Sequence, residues 1–150
     1  MVFDRKAADV SSAKKIRENK IQKGIALTKN DIEILERGCV TINTLNRIEN
    51  KQNELKKMFN DMGYFDTPLS NKNWSATQYF TQKDLERICE NNAILKKAFF
   101  VYISTPKTAM PRYHFGEFNA IERMLSDLED MVYYVRSQYI ECDTVYCGEV

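Results

Sequence analysis

The chain has 150 residues, of which 43% are hydrophobic and 29% are charged, a composition that suits one soluble domain with a hydrophobic core. Its five glycines and three prolines disfavour a loop-rich or all-β fold, and no run approaches the roughly 18 apolar residues that a membrane span requires. Residues 1–9 lack the apolar segment of a secretory signal, so we expect no export and reduced cysteines.

The charge is unevenly distributed, although the whole chain carries only +1. Residues 1–63 carry a net charge of +4, residues 64–114 carry +3, and residues 115–150 carry −6. The basic front and the acidic end could pair between subunits or fold against each other, or the charges could simply be solvated helix faces. The basic residues are too sparse to predict a nucleic-acid surface.

The first helical unit is predicted over residues 11–63, after an extended arm over residues 1–10. Ser11 and Ser12 can cap a basic helix over residues 13–23. Its apolar positions are few, so this helix should need a partner surface for stability.

Two further helices follow within this unit. The capping-box pattern Thr28-x-x-Asp31 predicts a short helix, and a regular apolar stripe from Ile42 to Met62 predicts a longer one. Gln52 lies in the middle of that stripe, where we expect it to face a polar partner.

The second unit is predicted over residues 64–104, where a loop leads to a second capping box, Thr81-x-x-Asp84, and another apolar helix face. A third helix is predicted over residues 112–136 from the most regular apolar stripe in the chain. Residues 137–150 are rich in β-forming residues, so we expect an irregular or β-like tail that packs along the helices or joins another subunit.

An internal repeat links these helices. Residues 45–59 recur as residues 85–99 with Leu, Arg, Ile, Leu, Lys, Lys and Phe in identical places, and a fainter copy covers residues 118–132. Repeated amphipathic helices usually solve a packing problem, so the sequence predicts a mainly α fold, a small helical bundle in one domain. Arg47 and Arg87 occupy the same repeat position, and we expect each to reach a carboxylate or carbonyl of an adjacent helix.

No catalytic constellation is recognisable. The only histidine, His114, stands between aromatic residues with no nucleophile pattern, and the four cysteines include no Cys-x-x-Cys pair. No glycine-rich phosphate loop is present. We therefore expect a protein that is not an enzyme and that binds no cofactor and no metal.

Aromatic residues gather just before the second repeat copy, where they could anchor a partner protein or seal the end of the bundle. We treat the following residues as candidate partner contacts: Trp74, Tyr79, Phe80, Arg47, Arg87, Lys14, Lys15, Arg17, Tyr139 and Ile140.

The segment 74–92 follows most of a recognisable pattern: a Trp, a short gap, Tyr-Phe-Asn or similar, then Asp-Leu-Asn-Arg-Ile-Glu, then Asn and an apolar helix. The fitting positions are Trp74, Tyr79, Phe80, Asp84, Leu85, Arg87, Ile88, Asn91 and Ile94, whereas Thr81, Glu86 and Cys89 depart from it. Residues 46–50, Asn-Arg-Ile-Glu-Asn, supply the part that the second copy lacks. The pattern resembles a segment of tail, baseplate and fibre-attached structural proteins of bacteriophages and prophages of Gram-positive bacteria.

This resemblance implies a component of a virion, in the tail, neck or baseplate, that is made in the cytoplasm of the host bacterium. Its partners would be further copies of itself, in a homo-oligomer, and neighbouring virion proteins. From the charge pattern we do not expect nucleic acid as a partner, and the apolar runs predict no membrane span. The alternative is a cytosolic helical adaptor or regulator that contacts nucleic acid through its basic N-terminal helix.

Overall fold

The computed structural model describes residues 4–64, 68–99, 105–106 and 112–144, with the side chains of residues 139–144 left out of the description. The elements in chain order are α1 (Ala7–Asn19), a 3₁₀ turn (Ile21–Lys23), α2 (Lys29–Gly38), α3 (Ile42–Asp61), α4 (Gln82–Ala98) and α5 (Phe115–Thr144). These ranges contain no β-strand. The prediction of a mainly α fold is therefore confirmed.

The core is formed by α3, α4 and α5, each of which packs on the other two. The shared apolar positions of the repeat supply it, because they recur at three- and four-residue steps on one face of each helix. They are Leu45, Ile48, Leu55 and Phe59 on α3, Leu85, Ile88, Leu95 and Phe99 at the end of α4, and Phe118, Ile121, Leu128 and Val132 on α5. The repeated phenylalanines Phe59 and Phe99 stack on each other with ring centroids 4.9 Å apart.

The other two helices form an N-terminal hairpin, residues 7–38. Among the described residues, α1 and α2 pack extensively on each other and neither packs extensively on α3, α4 or α5. Gly38 lets the two helices approach closely, since a β-carbon there would lie 2.2 Å from the carbonyl oxygen of Asp9 and 2.5 Å from the β-carbon of Ala13. The hairpin is thus a separate layer that needs its own attachment to the core.

Replacing Gly38 with alanine should lower the free energy of unfolding by about 1–3 kcal/mol, because the new methyl group meets backbone that cannot turn away. Urea denaturation followed by circular dichroism measures the change. Gly116→Ala is the matched control: its β-carbon would meet only the His114 ring, at 3.0 Å, and alanine favours the helix. Equal effects of the two substitutions would contradict the close approach at Gly38.

The structure corrects both ends of the sequence prediction. The arm expected over residues 1–10 is wrong for residues 7–10, which form the first turn of α1. Residues 4–6 precede the helix, and Arg5 among them is buried. The β-like tail expected over residues 137–150 is wrong for residues 137–144, which continue α5. Extending an existing helix costs less than starting a new element, so β-forming residues there do not end it. Residues 1–3 and 145–150 lie outside the described residues.

No helix in the described ranges has both the length and the apolar character needed to cross a bilayer.

Candidate functional site

One cluster of buried polar contacts is centred on Asn46 and Glu49 of α3. The Asn46 side chain accepts a hydrogen bond from the Trp74 backbone N–H at 2.7 Å and donates one to the Trp74 carbonyl at 3.0 Å. Glu49 is 1% exposed and accepts from the Trp74 indole N–H at 2.7 Å and from both terminal nitrogens of Arg87 at 2.5 and 2.9 Å. One carboxylate therefore holds a loop and a neighbouring helix together.

The same arrangement recurs on α5, at Asn119 and Glu122. Asn119 accepts from the Arg5 backbone N–H at 3.2 Å and donates to the Arg5 carbonyl at 2.9 Å. Glu122 has no exposed surface, and it pairs with Arg5 at 3.3 Å and with Arg47 at 2.7 Å. We call these pairs the α3 receptacle (Asn46 and Glu49) and the α5 receptacle (Asn119 and Glu122).

Each receptacle binds the same two kinds of partner. The asparagine fixes the backbone of one residue of an extended segment, Trp74 or Arg5, while the glutamate binds that residue's side chain. The glutamate also binds the repeat arginine of another copy, so that Arg87 of α4 reaches Glu49 of α3 and Arg47 of α3 reaches Glu122 of α5. Charge-assisted contacts of this kind are the stronger hydrogen bonds of proteins.

The expectation that Arg47 and Arg87 make equivalent contacts with carboxylates of adjacent helices is confirmed. Both guanidinium groups bind carboxylates of their own chain, and their role as partner contacts stays a prediction. These arginine–glutamate contacts form a series that runs from α4 to α3 and from α3 to α5. The series ends at α4, which has Glu86 and Cys89 at the receptacle positions, and at α5, which has Ala120 at the arginine position.

Sequence reasoning missed the receptacles themselves. The signal was present, since Asn46-x-x-Glu49 and Asn119-x-x-Glu122 occupy the same repeat positions in copies that otherwise diverge. When two copies of a repeat have the same polar residues next to a core isoleucine, those polar residues are expected to be buried and hydrogen-bonded. Arg5 lies in the expected arm, and nothing in the sequence around it indicated that it would bind α5.

A layer of buried amides adds to the α3–α4 interface. Gln52, which has no exposed surface, donates to the Asn92 side chain at 2.7 Å and to the Ile88 carbonyl at 3.0 Å. Asn91 in turn donates to the Gln52 side-chain oxygen at 3.2 Å. The polar partner expected for Gln52 is therefore the opposite copy of the repeat.

Both predicted capping boxes are confirmed, and a lysine completes each of them. At α2, hydrogen bonds from Lys20, the Thr28 backbone and the Thr28 hydroxyl lower the pKa of Asp31 from 3.8 to about 2. At α4, burial would raise the pKa of Asp84, but hydrogen bonds from Lys72 and Thr81 outweigh it and lower the pKa to about 2. These carboxylates are structural and stay ionised at neutral pH.

The capping boxes predict acid lability. Between pH 4 and pH 2 the unfolded chain binds protons at Asp31 and Asp84 that the folded chain does not bind, because the folded pKa values, about 2, lie below the unfolded value of 3.8. Stability should therefore fall as pH drops through this window. Thermal melts at intervals of half a pH unit measure the slope, and the double substitution Asp31→Asn with Asp84→Asn should reduce it. An equal reduction by Asp130→Asn, at an exposed position of α5, would contradict the assignment.

The aromatic candidates separate into two kinds. Trp74 is 6% exposed and meets Phe80 edge-on, with ring centroids 5.5 Å apart, and Phe80 meets Tyr113 in the same way at 5.6 Å. Trp74 is thus buried and Phe80 partly buried against the bundle, which fits the alternative that they seal its end, and their role as partner contacts stays a prediction. Tyr79 is 89% exposed and stays available.

The remaining candidates lie at opposite ends of the chain. Lys14, Lys15 and Arg17 are exposed on α1. Tyr139 and Ile140 lie in the last turns of α5, where their side chains are outside the described part of the chain.

A cavity of about 130 Å³ lies between the hairpin and the start of α5. Among the described residues, His114 and Cys39 line it together with apolar residues and Arg5, and none of these lining residues is a carboxylate. The His114 Nδ1 atom accepts a hydrogen bond from the Gly116 backbone N–H at 3.1 Å, so it has a local capping role. None of the described lining residues therefore offers a carboxylate that could orient the imidazole as a base.

Other groups that could do chemistry are equally constrained. Burial raises the pKa of the Cys89 thiol to about 11, so it stays protonated and unreactive near neutral pH. The described residues contain no cluster of His, Cys, Asp and Glu that could hold a metal ion. No known protein family, curated protein or solved structure matches this chain.

Proposed function

We propose that the chain is a non-enzymatic structural protein of a bacteriophage or phage-like particle, a tail, neck or baseplate component that acts by docking to other subunits. The observation that carries the proposal is how the repeat uses its polar residues. Glu49, Glu122, Arg47 and Arg87 are all engaged in holding helices and loops to one another. Such residues build a scaffold, and a scaffold is what a particle subunit requires.

The segment that resembles phage structural proteins supports the proposal through its contacts. Arg87 binds Glu49, Asp84 caps α4, and Ile88 is a core residue. Asn91 donates to the Ser70 carbonyl at 2.9 Å and so fixes the loop that carries Trp74. Several of the residues that carry the resemblance thus hold α3, α4 and the loop before α4 together, as expected for a shared structural module.

The surface supports docking as the mode of action. The hairpin exposes Ile21, Ile25, Leu27 and Ile32, and α5 exposes Tyr133 and Tyr134. Large apolar side chains gathered on a surface indicate contact with other molecules. We propose that the small helical bundle is completed by neighbouring subunits that cover these residues.

The test is to purify phage or phage-like particles from the source strain by density-gradient centrifugation and to quantify the chain by mass spectrometry. We expect the chain in fixed ratio to known virion proteins across the particle peak. Its loss from the peak, while the protein is present in the lysate, would overturn the assignment to the particle.

The exposed basic residues of α1 favour a second candidate, a helical regulator that contacts nucleic acid through Lys14, Lys15 and Arg17. Phosphate contacts make affinity fall steeply with salt. Fluorescence anisotropy with labelled duplex DNA at increasing salt separates the candidates. Tight, salt-sensitive binding that Lys15→Glu weakens would favour the regulator, and no binding would favour the particle component.

A further inference from the structure

The cavity of about 130 Å³ between the N-terminal hairpin and the start of α5 has a floor and a mouth. Phe118 lines it and is buried, so it belongs to the floor. Val10, Val40 and Tyr113 line it and are exposed, so they stand at the mouth. The described lining also includes Arg5, Gly38, Cys39, His114 and Phe115. We call this cavity the hairpin pocket.

The aromatic wall of the hairpin pocket is held in place by other rings. Phe80, which is not among the described lining residues, meets Tyr113 edge-on with ring centroids 5.6 Å apart and meets Phe118 at 6.4 Å. The rings of His114 and Phe115 lie 4.3 Å apart. Rings packed in this way do not turn freely into the open space. The pocket is therefore preformed, and a guest would bind without first paying to order it.

The polar groups that line the hairpin pocket are engaged within the chain. The Arg5 guanidinium donates to Glu122 and to Asn119, both at 3.3 Å, and the His114 Nδ1 atom accepts from the Gly116 N–H at 3.1 Å. A buried water needs roughly two to four polar partners, and a charged guest needs an opposite charge. None of the described lining residues is a carboxylate. The pocket therefore favours a neutral, apolar guest.

The volume of the hairpin pocket suits a guest the size of one ring. Apolar cavities of about 150 Å³ stay dry and bind benzene or xenon. Three of the described lining residues, Tyr113, Phe115 and Phe118, are aromatic. Aromatic rings favour offset-stacked and edge-to-face contacts with one another, which an aliphatic guest does not provide. Size and lining together point to a single aromatic ring.

We propose that the hairpin pocket binds a small neutral molecule with one aromatic ring, and that the bound ring strengthens the attachment of the hairpin to the core. The hairpin packs little on α3, α4 and α5, so a guest that touches both walls adds a contact where few exist. Opening of the hairpin separates the walls and abolishes the site. The guest thus lowers the open population by a factor of one plus the ratio of its concentration to its dissociation constant. The inference goes beyond the proposed function and does not rest on it.

Titration of the isotope-labelled full chain with benzene, followed by amide chemical shifts, tests the site. We expect a dissociation constant of about 1 mM or tighter, with the largest shifts at residues that line the pocket. Val10→Phe and Val40→Phe each add a ring at the mouth and should weaken binding by about tenfold or more. Ile32→Phe is the matched control, since it adds the same ring at an exposed position of the hairpin that is not among the described lining residues. It should bind benzene as the unaltered chain does.

Hydrogen exchange of the unaltered chain tests the link to the hairpin. With benzene at about ten times its dissociation constant, peptides from residues 7–38 should exchange about tenfold more slowly. Peptides from α4 should change less, because they do not depend on opening of the hairpin. This readout needs no substitution, so it decides the question even where a variant fails to fold.

An absence of shifts at the lining residues in about 10 mM benzene, ten times the expected dissociation constant, would overturn the proposal. Shifts gathered at exposed apolar residues elsewhere would overturn it as well, and so would binding that neither Val10→Phe nor Val40→Phe weakens while both variants keep the melting temperature of the unaltered chain. Binding that leaves exchange of the hairpin unchanged would refute the strengthened attachment. Neither experiment involves particles, so its failure leaves the proposed function standing.

Discussion

Replacing Glu49 with glutamine should lower the free energy of unfolding by about 3–5 kcal/mol, the usual cost of removing one member of a buried ion pair. Glu49 accepts hydrogen bonds from the indole of Trp74, the guanidinium of Arg87 and the backbone N–H of Lys72. The glutamine amide has one acceptor oxygen where the carboxylate has two. Its NH₂ group is a hydrogen-bond donor, and it would face the N–H donors of Trp74, Arg87 and Lys72. Arg87, whose side chain is 14% exposed, would keep its charge without its carboxylate.

Urea denaturation at pH 7 measures this change, and for a chain of this length the melting temperature should fall by about 10 °C. Glu54→Gln is the matched control on the same helix: its side chain is 55% exposed and pairs only with Lys51 in the described contacts, so we expect a change under about 0.5 kcal/mol. Similar losses in the two variants would show that the buried contacts of Glu49 contribute no more than a surface ion pair does.

A double-mutant cycle isolates the arginine contact. Glu49→Leu and Arg87→Met should each destabilise the protein, and the double variant should lose less than the sum of the two. The coupling arises because each single change leaves a buried charge behind and the double change leaves none. Strictly additive losses would mean that Glu49 and Arg87 stabilise the fold independently.

Replacing Glu122 with glutamine should release the N-terminal hairpin from the helical core. Glu122 is fully buried and binds both Arg5 and Arg47, so one substitution deprives two guanidinium groups of their carboxylate. The cost should again be about 3–5 kcal/mol. Because the hairpin packs little on α3, α4 and α5, the contacts of Arg5 carry much of its attachment.

Hydrogen exchange followed by mass spectrometry distinguishes this release from uniform destabilisation. Peptides from residues 7–38 should exchange about tenfold faster or more, with a smaller change in peptides from α4, because local opening becomes cheaper than global unfolding. Glu129→Gln is the control on the same helix: its side chain is 24% exposed and pairs with Lys51, far from the hairpin. An equal rise in exchange in α4 and the hairpin would refute the idea that the α5 receptacle is the hairpin's attachment.

The features that the sequence predicted well are those with a local signature. Thr28 and Asp31, or Thr81 and Asp84, are three residues apart, and the capping box they form follows from that spacing alone. The apolar stripes of α3, α4 and α5 are periodic, so the helices and their buried faces could be read directly. Arg47 and Arg87 were placed correctly because two copies of one position share one environment.

The features that the sequence did not predict depend on distant residues. Arg5 is fixed by Asn119, which lies 114 positions along the chain, so nothing near Arg5 distinguishes a docked segment from a free arm. Whether Trp74 faces a partner or the core depends on Glu49, 25 positions earlier, which accepts its indole N–H. Likewise, residues 137–144 have β-forming side chains, but the helix that precedes them decides their conformation.

The two ends of the receptacle series limit how this architecture could grow. Of the three repeated helices, only α3 has both an arginine to give, Arg47, and an Asn–Glu pair to receive one. A duplicated α3 inserted into the chain could extend the series, whereas a duplicated α4 would offer Cys89 to the incoming arginine and a duplicated α5 would offer Ala120 in place of one. Three side chains thus end the series, Glu86 and Cys89 of α4 on one side and Ala120 of α5 on the other.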